Sequence, residues 1–134
     1  MVQIERDDLV RALKSFKGLA KQDLLASGPS RQAEYRKTHA VARREIYAKL
    51  IDLVESSGIQ NACVFAFQEY RNLMAGGDLP TADPISSGHF QALEMFFNVL
   101  GVGTDKLRSC VDESSDLDQL LNTAPSFEDN LCMQ

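Results

Sequence analysis

The sequence predicts an all-α fold, a compact bundle of five or six helices. Apolar residues recur at intervals of three and four along most of the chain, as they do on one face of an amphipathic helix. Short stretches containing glycine or proline separate these periodic segments. A chain of 134 residues, 44% of them hydrophobic, is long enough to bury the core of one domain. We therefore expect a single helical domain over residues 1–124 and a loosely ordered tail over residues 125–134.

The first predicted helix covers about residues 4–25. Its apolar face comprises Leu9, Leu13, Phe16, Ala20 and Leu24. The segment Gly28-Pro29-Ser30 ends this helix, because glycine and proline both interrupt helical structure. Ser30 can then cap a second helix, since its hydroxyl oxygen can accept a bond from an otherwise unpaired backbone N–H.

The second predicted helix, residues 31–55, has an apolar face and a basic face. The apolar face comprises Tyr35, His39, Ala42, Ile46, Leu50 and Leu53. At about 100° per residue, four of the segment's cations fall in a separate arc of roughly 120°. These four are Arg36, Lys37, Arg43 and Arg44. Gly58 follows this helix and can adopt the left-handed conformation that commonly ends one.

Three further helices are predicted beyond Gly58. Residues 59–75 are apolar on nearly all sides, which predicts a largely buried central helix that ends at Gly76-Gly77. Residues 78–88 contain two prolines and no periodicity, which predicts an exposed loop. A fourth helix is expected over residues 89–100 and a short fifth one over residues 104–111. A last turn or two is predicted over residues 115–121, where Ser115 and Asp118 resemble a capping box.

Charge divides the chain into two unlike halves, although the net charge is only −5. Residues 1–49 contain eleven basic and six acidic side chains, whereas residues 50–134 contain three basic and thirteen acidic ones. This asymmetry indicates either an interaction surface or attraction between the two halves within the fold. We give slightly more weight to attraction within the fold.

Composition also argues against several classes of function. Neither His39 nor His89 has a histidine or carboxylate three or four residues away, so we expect no metal site. With two histidines and no local signature of a nucleophile, we expect no enzyme and no cofactor. The three cysteines show no C-x-x-C spacing, which favours a reducing compartment, the cytoplasm. No apolar run reaches the roughly 18 residues of a membrane helix, so no membrane association is expected.

A helix-turn-helix nucleic-acid-binding protein is the alternative reading. Residues 50–70 have Gly58 at the turn, and Gln60 and Asn61 would open the recognition helix, where amide side chains can read adenine. The apolar run over residues 63–67 and the acidic chain both count against this reading.

We favour a non-enzymatic protein-binding or regulatory module that uses the basic face around residues 36–47. Its predicted partner-binding residues are Arg36, Lys37, Arg43, Arg44 and Tyr47, since arginine and tyrosine are enriched at interfaces. The expected partner is a protein, in particular an acidic one, and a homodimer through the first helix is a further alternative. Ile51 and Val54 continue the arc of Tyr47, which would instead place this tyrosine against a neighbouring helix.

Overall fold

The computed structural model describes residues 4–26, 31–75 and 83–112, and within these ranges the only regular structure is helical. The five helices are α1 (Arg6–Ala26), α2 (Arg31–Ser57), α3 (Ile59–Met74), α4 (Pro84–Val99) and α5 (Thr104–Asp112). The predicted all-α class is confirmed. The predicted turn at residues 115–121 and the predicted tail at residues 125–134 lie outside the described residues.

Helix α2 is the element against which α1, α3 and α4 assemble, and α5 packs on α4. Its buried residues cover a broad sector and comprise Ala33, Ala40, Ala42, Ile46, Tyr47, Leu50, Ile51 and Val54. This sector is wider than the single apolar face that the sequence pattern indicates. It is wide because α1 and α4 both pack extensively against α2.

Helix α1 forms the most extensive pair with α2. The predicted apolar face of α1 is buried, with Leu9, Leu13 and Ala20 each 0% exposed. Further along the helix, Phe16 packs against Tyr47 of α2 with ring centroids 5.6 Å apart. These apolar residues are thus covered by contacts within the chain.

Gly58 joins α2 directly to α3. Its φ of 97° lies in a region that glycine adopts without steric cost, and its N–H donates to the carbonyls of Leu53 and Val54 at 3.0 and 3.2 Å. Helix α3 then contributes five buried residues: Ala62, Cys63, Ala66, Phe67 and Tyr70. Its opposite face is exposed and includes Val64.

Helix α4 begins at Pro84, so the prediction of a loop through residue 88 is wrong over its last five residues. Asp83 is the N-cap, and its carboxylate accepts bonds from the backbone N–H groups of Ile85 and Ser86. Proline suits the first helical position, where its missing N–H would have no partner in any case. The proline that indicates a loop in the sequence therefore starts the helix.

A close approach between α2 and α4 centres on Gly88. A β-carbon placed on Gly88 would lie 2.6 Å from the carbonyl oxygen of His39 and 2.8 Å from Cβ of Ala42. No side chain fits there without moving one of the helices. Small residues at the crossing therefore set how closely the two helices pack.

We expect Gly88→Ala to destabilise the fold by about 1–3 kcal/mol, the usual cost of overpacking a tight contact. Gly18→Ala is the matched control, because a β-carbon at Gly18, inside α1, meets no atom within 4 Å. The control should raise stability by up to about 1 kcal/mol, since alanine is the better helix former. Chemical denaturation of both variants measures the difference. Equal stability of Gly88→Ala and the wild type would contradict the close crossing.

Candidate functional site

The inner part of the predicted basic face is the surface on which α1 packs. Tyr47 is 2% exposed against Phe16, and Nη2 of Arg43 donates to Oδ2 of Asp23 on α1. The Arg43 side chain is only 13% exposed. Tyr47 and Arg43 therefore belong to the α1–α2 contact. The packing alternative from the sequence placed Tyr47 against a neighbouring helix but did not indicate Asp23 as the partner of Arg43.

Burial also shifts the titration of groups at this contact. It raises the pKa of Tyr47 to about 12, although the nearby Arg43 opposes the shift. The pKa of His39 is lowered from 6.5, first by burial and then by Arg43, with Asp23 acting in the opposite direction. The His39 ring stacks on Tyr35 at a centroid distance of 6.1 Å. His39 is thus held mainly as neutral imidazole at neutral pH.

The outer cations of the basic face reach the surface. Arg36 and Arg44 are exposed and Lys37 is half-buried, and none of these three forms a salt bridge with another described residue. Lys37 and Arg44 are seven residues apart, so they lie two turns apart on one side of α2. Arg36 lies about 100° around the helix from Lys37. The cations that can meet a partner are therefore Lys37 and Arg44, with Arg36 at the edge.

A groove between α2 and the first turn of α4 lies beside these cations. We call it the α2–α4 groove; it encloses about 240 Å³ and is lined by Lys37, Thr38, Val41, Ala42, Glu45 and Ile85. Val41 is 39% exposed and Ile85 is 49% exposed, so the groove displays apolar surface. Glu45 faces His89 of α4, with 3.8 Å between Oε2 and Nε2.

Sequence reasoning missed this groove for two reasons. Val41 is a lone apolar residue on an otherwise polar face of α2, and Ile85 falls in the segment predicted as a loop. The signal that could have found Ile85 is Asp83-Pro84, since aspartate at a cap followed by proline is typical of a helix start.

A second concavity, of about 410 Å³, lies between the first half of α1 and the end of α2. It is lined by Arg6, Asp7, Val10, Arg11, Lys14 and Glu55. Charges of both signs alternate here, and Val10 is the one apolar residue in the lining. The α2–α4 groove is the better candidate because it combines apolar surface with cations at its edge.

A partly buried polar network ties α3, α4 and α5 together. The Tyr70 hydroxyl donates to Oε2 of Glu94 at 3.0 Å, and Nε of Arg108 donates to the same oxygen at 3.2 Å. Phe90 stacks on the Tyr70 ring at 4.8 Å, and the Arg108 guanidinium lies 5.6 Å from the Phe90 centroid. Burial is the main reason that the pKa of Tyr70 is raised. The network satisfies its own members, which favours a structural role.

The exposed face of α3 carries amide side chains. Gln60, Asn61, Gln68 and Asn72 are exposed there together with Arg71, while Cys63, Ala66 and Phe67 face the core. Three of the five residues in the apolar run that counts against a recognition helix thus face the core, whereas Val64 is exposed. Asp52 and Glu55 are exposed near the end of α2, however, and would repel the phosphates of a nucleic acid.

The described ranges also bear on metal binding, membrane spanning and cysteine chemistry. Among the described residues no three His, Cys, Asp or Glu side chains come together as a metal site, and no helix there is long and apolar enough to cross a membrane. Burial raises the pKa of the Cys63 thiol to about 12, so this cysteine is held as the unreactive thiol.

Comparison with known proteins gave no relative: no protein family, no curated protein and no solved structure matches the chain significantly.

We expect Arg43→Glu to lower the free energy of unfolding by at least about 1 kcal/mol, because the new carboxylate would face Asp23. Arg44→Glu is the matched control: Arg44 is exposed and forms no salt bridge with a described residue, so stability should change by less than about 0.5 kcal/mol. Adding Asp23→Arg to Arg43→Glu should restore much of the lost stability, since it swaps the pair. Urea denaturation tests all three proteins. A destabilisation equal at positions 43 and 44 would contradict the assignment of Arg43 to the α1–α2 contact.

Stability should fall as the medium is acidified through the titration of His39. Because the folded pKa of His39 lies below 6.5, the unfolded chain binds its proton at a higher pH than the folded chain does. The contribution of neutral His39 to the free energy of unfolding is complete above pH 6.5, and it is lost as the pH falls from 6.5 through the pKa of His39 in the folded chain. Denaturation between about pH 7.5 and pH 5.5 should show a steeper loss for the wild type than for His39→Gln. Parallel losses in the two proteins would show that other groups cause the dependence.

Proposed function

We propose that this chain is a non-enzymatic helical module that binds an acidic protein through the α2–α4 groove. The observation that supports this best is that Val41 and Ile85 are both exposed at this groove, beside Lys37 and Arg44, which form no salt bridge with another described residue. The buried free thiol of Cys63 is compatible with the reducing conditions of the cytoplasm, where we place this activity.

The chemistry of the groove specifies what it would bind. A groove of about 240 Å³ accepts one or two aliphatic side chains rather than a whole helix. Such an anchor, buried at the centre of a contact and ringed by polar groups, is the usual arrangement at a protein interface. Lys37 and Arg44 lie to one side of the anchor, so carboxylates on the matching side of the partner would be drawn to them.

Lys37 and Arg44 do not form salt bridges with other described residues. Arg43 is paired with Asp23 of α1, and Arg108 with Glu94 of α4, whereas Lys37 and Arg44 have no such partner there. The remaining cation of the arc, Arg36, adds positive charge at the edge that borders α1. The residues that we propose for the contact are therefore Arg36, Lys37, Val41, Arg44 and Ile85.

The test begins with a photo-reactive residue in the groove. Val41→p-benzoylphenylalanine should cross-link the partner in cells of the native host, whereas the same residue at Gln68, exposed on α3, should not. Mass spectrometry of the product identifies the partner, which can then be purified. Cross-linking of equal yield from positions 41 and 68 would contradict the proposed surface.

We expect the double variant Lys37→Glu, Arg44→Glu to bind the purified partner about tenfold more weakly or worse, because two attractions become repulsions. Its free energy of unfolding should stay within about 0.5 kcal/mol of the wild type, since neither residue forms a salt bridge within the described part of the chain. Lys21→Glu, an exposed charge reversal on α1, serves as the matched control and should bind normally. Calorimetric titration at two salt concentrations measures the affinities. Unchanged binding by the double variant would overturn the proposal.

Nucleic-acid binding through α3 is the second candidate, favoured by its exposed row of amides and Arg71. It predicts a mobility shift with duplex DNA that weakens steeply as salt is added, because bound phosphates release counterions. Arg71→Ala should weaken that shift, and the groove variants should not. Absence of a shift at low salt would remove this candidate.

A further inference from the structure

The acidic excess of the chain lies entirely outside the described residues. All fourteen basic residues fall within residues 4–26, 31–75 and 83–112, together with thirteen of the nineteen acidic ones. Residues 113–134 contain five carboxylates and no basic side chain. These carboxylates belong to Glu113, Asp116, Asp118, Glu128 and Asp129. The helical body is thus nearly neutral, and the segment after it is strongly acidic.

The acidic segment also contains aliphatic residues at close intervals. Leu117, Leu120 and Leu121 are interleaved with Asp116 and Asp118. Aliphatic side chains flanked by carboxylates are the chemistry that the α2–α4 groove would accept. Val41 and Ile85 offer apolar contact there. Lys37 in the lining, and Arg44 three residues after Val41 on the same helix, offer charge of the opposite sign. Glu45 is the acidic residue of the lining, and it faces His89 rather than the two cations.

The segment begins within reach of the groove. It follows Asp112, the last residue of α5, and α5 packs against α4 through Arg108 and Phe90. Ile85 of the groove lies five residues before Phe90, which is about 7.5 Å along the same helix. Twenty-two residues can extend over at most roughly 75 Å, so chain length does not limit the contact.

We propose that residues 113–134 of this chain dock into the α2–α4 groove, with leucines against Val41 and Ile85 and carboxylates near Lys37 and Arg44. Tethering raises the local concentration of the segment to roughly the millimolar range, so a weak contact is sufficient to cover the groove. The segment then competes with the acidic partner, a consequence that rests on the proposed function. The docking itself requires no partner and can be tested without one.

The test places a nitroxide spin label on the segment of the full-length chain. In the variant Thr123→Cys, Cys132→Ser, the label attaches to the cysteine introduced at position 123. The two native cysteines that remain, Cys63 and Cys110, are buried and react slowly. We expect the amide NMR signals of residues 37–45 and of Ile85 to be broadened, while those of the exposed face of α3 keep their intensity. The double variant Lys37→Glu, Arg44→Glu should lose this broadening, and the matched control Lys21→Glu should retain it.

Three outcomes would overturn the docking. These are the absence of any broadening, broadening centred on the cations of α1, and broadening that persists unchanged in the double variant. A sample that mixes isotope-labelled chains with spin-labelled, isotope-free chains distinguishes a second copy. Broadening in that mixed sample would show docking between chains and contradict docking within one chain. If the spin label broadens no groove signal while the double variant still binds the purified partner more weakly, the docking inference is wrong and the proposed function stands.

Discussion

The close crossing of α2 and α4 is the constraint on which the rest of the structure depends. Gly88 allows the backbone of α4 to lie against His39 and Ala42, and no larger residue fits there. This approach brings the first turn of α4 beside the polar face of α2. As a result Ile85 of α4 and Val41 of α2 line the same groove. On its own helix, neither residue would form an apolar surface with the other. The groove is thus a consequence of helix packing rather than of any local motif.

Burial of α2 on two sides explains why its basic face divides into two parts. The side toward α1 must exclude water, so Tyr47 loses its exposure and Arg43 needs Asp23 as a partner for its charge. None of the five described helices covers the outer side, and Lys37 and Arg44 form no salt bridge with a described residue there. On the side toward α1, the aliphatic stem of Arg43 covers apolar surface. On the outer side, Arg44 keeps its charged group in water. The same residue type therefore has two roles within one turn of helix.

The sequence predicted the helices better than it predicted the candidate site. Periodicity locates α1, α2, α3 and α5 because each buries a stripe of its own residues. It missed the first turn of α4 because proline marks loops and helix starts alike, and Asp83 decides between them. It also left Tyr47 undecided, since spacing shows which residues share a face but not which helix covers that face. The contact of Tyr70 with Glu94 and Arg108 joins three helices, and no pattern within one helix can indicate it.

In the contact that we propose, apolar burial rather than net charge determines which acidic sequences the groove would accept. At physiological ionic strength, charges separated by more than about 8 Å are largely screened, so the acidic and basic halves of the chain attract each other weakly over distance. Lys37 and Arg44 can therefore act strongly only on carboxylates brought into contact with them. Val41 and Ile85 supply the contact that brings such carboxylates close, because apolar burial does not depend on charge. An acidic sequence without aliphatic residues would be attracted to Lys37 and Arg44, but it would gain no apolar burial against Val41 and Ile85 and would bind more weakly.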